Sequence, residues 1–454
     1  MENIKEKAIY FVGIGGIGMS ALARYFSFEG FKIYGYDRIQ TELTKKLEQE
    51  NMNIIYEDNL ANLPQKMEFA VFTPAISKNN FILQEIIRKN IPLYKRSEIL
   101  EKISQNYKTI AVAGTHGKTT ISGMITHLLF NSSVGCNAFL GGISKNFETN
   151  FIINKDRKDL LIVEADEYDR SFLKLNPYYS VITAIDADHL DIYGNHESLV
   201  NAFKEFATKT HKGGCLFIKN SVKLEMLLDC EIKTYSLNNL ESDYYAWNIR
   251  VYQGSYYFDY HTPDKIYFDI CLSYPGLHNI ENAIVAMAVA LKCGITEEEL
   301  RNAMASFCGM KRRFDLIIKT DNTIFIDDYA HHPQEITTTI TSLRHFFPNK
   351  RITGIFQPHL YSRTRDFQKE FVKSLELLDE IILLDIYPAR EEPIEGIDSK
   401  LLFSQIQKMD KYYVSKEQLL ELIPALNPQI LLTIGAGDID QLVNPIKKII
   451  KEQI

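Results

Sequence analysis

The fold is decided by residues 109–130, which read TIAVAGTHGKTTISGMITHLLF. The apolar run Thr109–Ala113 predicts a buried strand, and the pattern from Ile121 to Phe130 predicts a helix. Between them lies the glycine-rich turn 114–120. Backbone N–H groups in such a turn face phosphate oxygens, the lysine supplies a positive charge, and a threonine hydroxyl can ligate Mg²⁺. Val112 stands where the usual pattern has its first glycine, so this is a shortened phosphate loop. The predicted nucleotide contacts are Gly114, Thr115, Gly117, Lys118, Thr119 and Thr120.

The N-terminal segment predicts a βαβ unit of the dinucleotide-binding type. The strand Ile9–Val12 leads into the turn Gly13–Ser20, a helix follows to Phe28, and the strand Lys32–Tyr36 ends at Asp37. An acidic residue about 20 positions past the glycines is typical of this unit. The turn therefore indicates either a phosphate-bearing ligand or a close contact between helix and strand.

Two more blocks follow along the chain, and both predict parallel sheets covered by helices. We place one boundary near residue 106, where the sequence turns polar, and another near residue 315. The predicted fold is therefore α/β with three domains. Residues 1–106 form a Rossmann-like domain, 107–315 a central domain like that of P-loop ATPases, and 316–454 a second Rossmann-like domain. The aromatic stretch from Tyr244 to Leu272 predicts antiparallel strands inside the central domain.

Carboxylates follow two predicted strands of the central domain. Glu164 and Asp166 come after one strand, and Asp188 and His189 follow the next. Ligands sit at the carboxyl ends of parallel strands, and oxygen ligands with an imidazole suit Mg²⁺. A single such carboxylate is as readily a helix cap, so the prediction rests on the four residues together.

Four other polar motifs are candidates for binding. Asn279 and Asn282 open a helix, and residues 309–315 place three cations near the second domain boundary. The loops 327–333 and 356–365 each follow a predicted strand and contain histidines, and the second contains arginines that could bind a carboxylate bidentately. Taken one at a time, these are also compatible with helix starts, a solvated charge run and ordinary turns.

The bulk composition excludes several classes of protein. The chain has 454 residues, a hydrophobic fraction of 45% and a formal net charge of −7. The negative charge argues against nucleic-acid binding, and no apolar run is long enough for membrane insertion. The six cysteines are scattered without a C-x-x-C pair, which predicts reduced core thiols in a cytoplasmic protein.

A series of motifs, taken in order, resembles the Mur ligase family over residues 9 to 440. They are GIGGIGMSALA, AGTHGKTT, EADEYDRSFL, DADHLDIYG, GLHNIENA, GMKRRFD, DDYAHHP, FQPHLYSRTRDF, DIYPAREEP and GAGDI. The resemblance implies a UDP-sugar-binding first domain, an ATP-binding central domain, and a last domain that binds the amino acid and part of the ATP.

The resemblance also implies roles for individual residues. Lys118, Glu164, His189 and Arg313 would be catalytic, with Thr119, Glu164 and His189 as the metal ligands. Asn282, Arg313 and Asp328 would contact ATP. The substrates would be bound by Gly15, Gly16, Gly18, Met19, Ser20, Asp37, His116, His331, His359 and Arg363. Leu360 stands where many relatives have arginine, so a substrate carboxylate would be bound more by Arg363.

The implied activity is ATP- and Mg²⁺-dependent formation of an amide between L-alanine and UDP-N-acetylmuramate, through an acyl phosphate, in a monomer or homodimer. A ligase that attaches a whole tripeptide to the same sugar is the nearest alternative. An oxidoreductase would leave the second nucleotide loop without a role, and a non-catalytic scaffold would not explain the polar strand ends.

Overall fold

The computed structural model describes residues 7–154, 156, 159–168, 170–186, 190–389 and 391–453. Its three sheets, each accompanied by helices, confirm the predicted α/β class with three domains. The chain forms two compact units. The first comprises residues 1–249, 258–271 and 281–307, and the second comprises residues 250–257, 272–280 and 308–454.

The first sheet lies in the N-terminal segment and is parallel throughout, with strand order β3-β2-β1-β4-β5. Its strands are β1 (Ala8–Val12), β2 (Lys32–Tyr36), β3 (Asn53–Ile55), β4 (Phe69–Phe72) and β5 (Leu93–Lys95). The helices are α1 (Ile17–Phe28), α2 (Glu42–Gln49), α3 (Phe81–Arg88) and α4 (Arg96–Ser104). The predicted βαβ unit is therefore present, and its glycine turn joins β1 to α1.

The second sheet contains the phosphate loop and has ten strands in the order β15-β14-β13-β12-β11-β10-β6-β9-β7-β8. The strands are β6 (Lys108–Ala113), β7 (Asn137–Phe139), β8 (Phe151–Ile152), β9 (Leu160–Glu164), β10 (Tyr179–Ile182), β11 (Cys215–Lys219), β12 (Glu231–Ser236), β13 (Tyr244–Tyr252), β14 (Ser255–His261) and β15 (Ile266–Leu272). The helices are α5 (Lys118–Phe130), α6 (Leu190–Tyr193), α7 (His196–Thr208), α8 (Leu277–Lys292) and α9 (Glu297–Ser306). β6 pairs in parallel with β9 and β10, so the strands that lead to the loop and to the carboxylates are neighbours.

The third sheet belongs to the second unit and has the order β16-β17-β21-β18-β19-β20. The strands are β16 (Asp315–Lys319), β17 (Ile324–Asp328), β18 (Ile352–Phe356), β19 (Glu380–Leu383), β20 (Lys411–Tyr413) and β21 (Ile430–Ile434). The helices are α10 (Pro333–Phe346), α11 (Tyr361–Asp366), α12 (Gln368–Leu375), α13 (Ser399–Gln405), α14 (Lys416–Leu426) and α15 (Val443–Gln453). β16 is antiparallel to β17, and the other pairs are parallel.

The apolar residues form continuous cores. One core joins Phe11 of β1 and Leu22 of α1 to Val163 of β9 and Phe203 of α7. The third sheet has a core of its own around Phe325. Within the described residues, no helix has both the length and the apolar character needed to cross a bilayer.

The six cysteines are all free thiols in the structure. Only Cys136 and Cys215 are buried, whereas Cys308 is exposed. The prediction that all six are core thiols is therefore wrong. Cys308 follows α9 in a connecting segment, where a side chain does not pack into a sheet layer.

Candidate active site

The phosphate loop is tightly fixed between β6 and α5. Gly114 has φ +131°, and a Cβ built on it would lie 2.0 Å from the hydroxyl oxygen of Thr183. Gly117 has φ +81°, and its Cβ would lie 2.9 Å from Oδ1 of Asn282. Both positions therefore require glycine, because a side chain would meet strain and a neighbouring atom at once. The contact also brings Asn282, a predicted nucleotide residue, directly beside the loop.

Lys118 is the first residue of α5 and forms a buried ion pair. Its Nζ donates to the carbonyl oxygen of Gly114 at 2.7 Å and lies 2.8 Å from a carboxylate oxygen of Glu167. Glu167 is fully buried. Burial alone would lower the pKa of Lys118, but the carboxylates of Glu167, Asp166 and Glu164 outweigh it and raise the pKa. Lys118 is therefore held as a cation at the start of the helix.

Glu164 ends β9 and packs against the backbone of Gly141. A Cβ on Gly141 would lie 2.1 Å from Oε2 of Glu164, so only glycine leaves room for this carboxylate. Thr119, the other predicted metal ligand that can be placed, is buried in the first turn of α5. Among the described residues, no three His, Cys, Asp or Glu side chains form a metal-binding cluster. The predicted ligand His189 and its neighbour Asp188 lie outside the described residues.

His116 lies inside the loop and faces Asp186, with 3.3 Å between its Nε2 and a carboxylate oxygen. The loop is tied to the end of β10 by two further contacts. Thr115 N–H donates to the carbonyl oxygen of Ala184 at 3.0 Å, and its hydroxyl accepts from the N–H of Asp186 at 3.1 Å. The segment after β10 therefore holds the phosphate loop in its conformation. In sequence, the same segment precedes the predicted metal ligand His189.

The glycine turn of the first sheet is held by Asp37. The Gly15 N–H donates to Oδ2 of Asp37 at 2.8 Å, so the acidic residue fixes the turn from the side of β2. The side chains of Met19 and Ser20 are buried, and Asn150 donates to the Ser20 hydroxyl at 2.9 Å. Met19 and Ser20 therefore present no exposed side chain to a ligand, and the part of this turn in substrate binding stays a prediction.

The second unit brings Asp328 and Arg313 together near the end of β17. The Thr339 hydroxyl donates to Asp328 at 2.5 Å. Burial raises the pKa of Asp328 to about 6, although Thr339 and Arg313 act in the opposite direction. The Arg313 guanidinium lies 4.8 Å from the centre of the Tyr329 ring. A partly neutralised carboxylate beside an arginine suits the recognition of ribose hydroxyls and phosphate.

Asp327 and Arg312, which precede Asp328 and Arg313 in sequence, contact each other at the end of β17. The Thr433 hydroxyl donates to Asp327 at 2.6 Å, and the Arg312 guanidinium lies 3.7 Å from its carboxylate. Burial raises the pKa of Asp327 to about 7 despite this nearby cation. Arg312 also donates to the carbonyl oxygen of Gly435 at 2.8 Å. This pair therefore ties β17 to the loop after β21.

The two histidines predicted to face the amino acid are neighbours in the second unit. The rings of His331 and His359 lie 6.0 Å apart, and His359 stacks on Tyr387 at 5.9 Å. Burial lowers the pKa of His331 to about 4, and the charge of Arg363 acts in the same direction. Arg363 lies in α11, which starts after Leu360, a residue with the unusual φ of +72°. All three predicted residues therefore converge at one end of the sheet.

Sequence reasoning gave no role to Glu167, Gly141 or Asp327. Each contacts a site residue that is distant in sequence. Glu167 pairs with Lys118, Gly141 packs against Glu164, and Asp327 faces Arg312. The available signals were the last glutamate of EADE, the Gly-Gly pair at 141–142 and the doubled aspartate at 327–328.

Comparison with known proteins agrees with this architecture. Three family models match in sequence: the Mur ligase family catalytic domain at residues 8–108, the Mur ligase middle domain at 112–290, and the glutamate ligase domain at 312–437. Relatives with more than 40% identity align over nearly the whole chain. The chain belongs to the Mur ligase family.

Within that family, the relatives described next are all alanine-adding ligases by name. A UDP-N-acetylmuramate–L-alanine ligase of Parabacteroides distasonis is 45% identical, with 100% of this chain and 99% of the relative aligned. One from Phocaeicola vulgatus is 46% identical over 96% of each chain. Among solved structures, the UDP-N-acetylmuramate–alanine ligase of Thermotoga maritima has a TM-score of 0.84 at 26% identity, covering 98% of this chain and 100% of that one.

Proposed function

We propose that this protein is an ATP-dependent ligase that joins L-alanine to the lactyl carboxylate of UDP-N-acetylmuramate. This is the first step in assembling the peptide stem of peptidoglycan. The observation that carries the proposal is Lys118 at the start of α5, largely buried, in contact with Glu167 and within the electrostatic reach of Asp166 and Glu164, in a chain of this family. A phosphate loop beside acidic strand ends is suited to phosphoryl transfer.

The first chemical step activates the carboxylate. An oxygen of the lactyl carboxylate attacks the γ-phosphorus of ATP, the bond to the β-phosphate oxygen breaks, and ADP leaves with that electron pair. The product is an acyl phosphate. Lys118 and Arg313 offset the charge that spreads over the transferred group, which is the main contribution a protein makes to this reaction.

The second step forms the amide bond. The amine of alanine attacks the acyl carbon, and phosphate leaves from the tetrahedral intermediate. The amine must first be neutral, because an ammonium has no free electron pair. The amine therefore reacts after losing one proton to solvent, and a second proton leaves the nitrogen as the amide forms. The Nδ1 of His331 lies 2.9 Å from the carbonyl oxygen of Tyr329, which can only accept, so Nδ1 carries hydrogen and the neutral Nε2 is left to accept a hydrogen bond from the amine.

The described donors, Glu164 and Thr119, offer oxygen ligands of the kind that Mg²⁺ prefers. The glycine at position 141 leaves space for the Glu164 carboxylate, and Thr119 offers a hydroxyl beside Lys118. With His189, these residues would hold the ion, which when bound neutralises phosphate charge. The protein acts on small molecules, as a monomer or homodimer in the cytoplasm.

The test is ADP release by the full chain with UDP-N-acetylmuramate, ATP and Mg²⁺, comparing L-alanine with the tripeptide L-alanyl-γ-D-glutamyl-meso-diaminopimelate. We expect release with L-alanine and, at equal concentration, little with the tripeptide. A preference for the tripeptide would instead identify a recycling ligase. Absence of ADP with either acceptor would contradict the ligase assignment.

A further inference from the structure

Arg96 lies beside the glycine turn of the first sheet, in a position that no sequence motif indicated. It is the first residue of α4, directly after β5. A Cβ built on Gly18 would lie 2.9 Å from Cδ of Arg96 and 3.1 Å from its Nη1. The guanidinium therefore rests against the first turn of α1, where the absent side chain of Gly18 leaves room for it.

The guanidinium has no carboxylate partner in the described part of the chain. Arg96 is partly buried, yet no described carboxylate oxygen lies within 4.0 Å of it and it donates no hydrogen bond to a described residue. Arg24, on the neighbouring helix α1, shows the usual arrangement, since it grips Glu50 with two contacts of 2.7 and 2.8 Å. An unpaired, partly buried guanidinium is suited to a ligand with two acceptor oxygens.

Arg96 also lines a small pocket together with Ser97 of α4 and with Glu164, Asp166 and Ser171 from the end of β9 onward. The two carboxylates would repel an anionic substrate bound nearby. The positive charge of Arg96 offsets that repulsion for a diphosphate at the glycine turn.

We propose that Arg96 is a substrate-binding residue whose guanidinium binds the diphosphate of the UDP-sugar. The inference rests on the proposed function and adds a residue to it. The guanidinium touches the glycine turn, which is the part of the first domain predicted to face phosphate. A diphosphate held by the backbone of this turn therefore meets the guanidinium, which binds its oxygens.

The test uses UDP as the probe, because UDP has the diphosphate but neither the sugar nor its carboxylate. UDP is titrated calorimetrically into the full-length protein and into Arg96→Gln and Arg96→Lys. Loss of a charge-assisted pair weakens UDP binding by about tenfold or more in Arg96→Gln. Arg96→Lys keeps the positive charge but loses the planar pair of N–H donors. We expect its affinity for UDP to lie between those of the unmodified protein and Arg96→Gln.

Two controls separate this effect from others. Lys95→Gln removes the charge of the exposed neighbouring side chain, and its affinity for UDP stays within about twofold of the unmodified protein, since exposed charges act weakly. ATP affinity is unchanged in both Arg96 variants, and matching melting temperatures show that they fold.

Unchanged UDP affinity in a folded Arg96→Gln protein overturns the proposal. So does a loss confined to UDP-N-acetylmuramate, since that places Arg96 at the carboxylate. The UDP titration needs no turnover. Failure of the ligase assay with the unmodified protein therefore counts against the proposed function and leaves the measurement on Arg96 valid.

Discussion

At the scale of single residues, the strongest feature is that Lys118 shares a buried site with Glu167. Replacement of the lysine alone leaves a fully buried carboxylate without its cation. Removing one partner of a buried pair costs about 3–5 kcal/mol, whereas replacing both with neutral groups of similar size is often nearly neutral. Activity and stability can therefore be separated at this site.

We predict that Lys118→Met abolishes ligase turnover and also lowers the free energy of unfolding. The double variant Lys118→Met/Glu167→Gln should be equally inactive, but most of the lost stability should return because no unpaired charge remains. ADP release and chemical denaturation measure the two effects. Equal instability of the single and double variants would show that the pair is not the cause.

A second residue-scale prediction concerns Asp327, whose pKa is raised to about 7 by burial. Between the ordinary aspartate pKa and pH 7, the folded protein holds a proton that the unfolded chain has lost. Asp327 therefore makes the fold less stable as pH rises through this range. Asp327→Asn removes the titration and keeps an acceptor for Thr433.

We expect the stability of Asp327→Asn relative to the unmodified protein to increase from pH 5 to pH 8, on the order of 2 to 3 kcal/mol. Urea denaturation at the two pH values measures the change. Thr433→Val removes the hydroxyl partner without removing the carboxylate and serves as the control. A difference that does not vary with pH would contradict the raised pKa.

At the scale of elements, the strands with long apolar runs were predictable. The predicted bounds of β2 coincide with those observed, and β1 and β6 each begin one residue before the predicted strand. β3, β5 and β20 were not predicted, because they are three residues long and only partly buried, so they have no apolar run to detect. They form strands because each pairs with a longer neighbour.

The site was predictable where function requires a residue type at a fixed spacing, as in the loop 114–120. It was not predictable where two side chains meet only after folding. Lys118 and Glu167 are 49 positions apart, and neither the length nor the charge of the intervening chain indicates their pairing. Arg96 was missed because the sequence around it resembles an ordinary capped surface helix.

An element-scale prediction tests how β9 places Glu164. Gly141→Ala puts a methyl group where the carboxylate now lies, 2.1 Å from its Oε2. Substitution behind a metal ligand typically costs about 10- to 100-fold in metal affinity or activity. We therefore expect Gly141→Ala to need more Mg²⁺ for half-maximal activity and to turn over more slowly.

The matched control is Gly213→Ala in the same unit, where the nearest atom would lie at an ordinary contact distance of 3.4 Å. Its Mg²⁺ dependence should remain that of the unmodified protein. Initial rates measured over a range of Mg²⁺ concentrations compare the two variants. An unaltered Mg²⁺ dependence of Gly141→Ala would argue against Glu164 as a metal ligand.

At the scale of the whole molecule, the second unit is not a continuous piece of chain. It includes residues 250–257 and 272–280 as well as everything from residue 308. Tyr256, from the first of these segments, packs its ring 5.1 Å from that of Phe346 in α10. His278, from the second, lies 3.1 Å from the hydroxyl of Ser342 in the same helix. These segments complete the packing of α10.

We predict that Tyr256→Ala lowers the free energy of unfolding by about 3–5 kcal/mol, because it removes a fully buried ring. Tyr252→Ala, on the same hairpin but 60% exposed, should change it by less than about 0.5 kcal/mol. Chemical denaturation of the full chain compares the two. A loss for Tyr256→Ala as small as that for Tyr252→Ala would show that this segment does not support the second unit.

The Lys118–Glu167 pair also determines how a nucleotide is admitted. An arriving phosphate meets a lysine whose charge is already neutralised, so the affinity measured for any nucleotide is the difference between two ion pairs. A phosphate chain of low charge gains little from that exchange, and one of high charge gains much. The loop therefore favours ligands whose phosphate chains carry more negative charge.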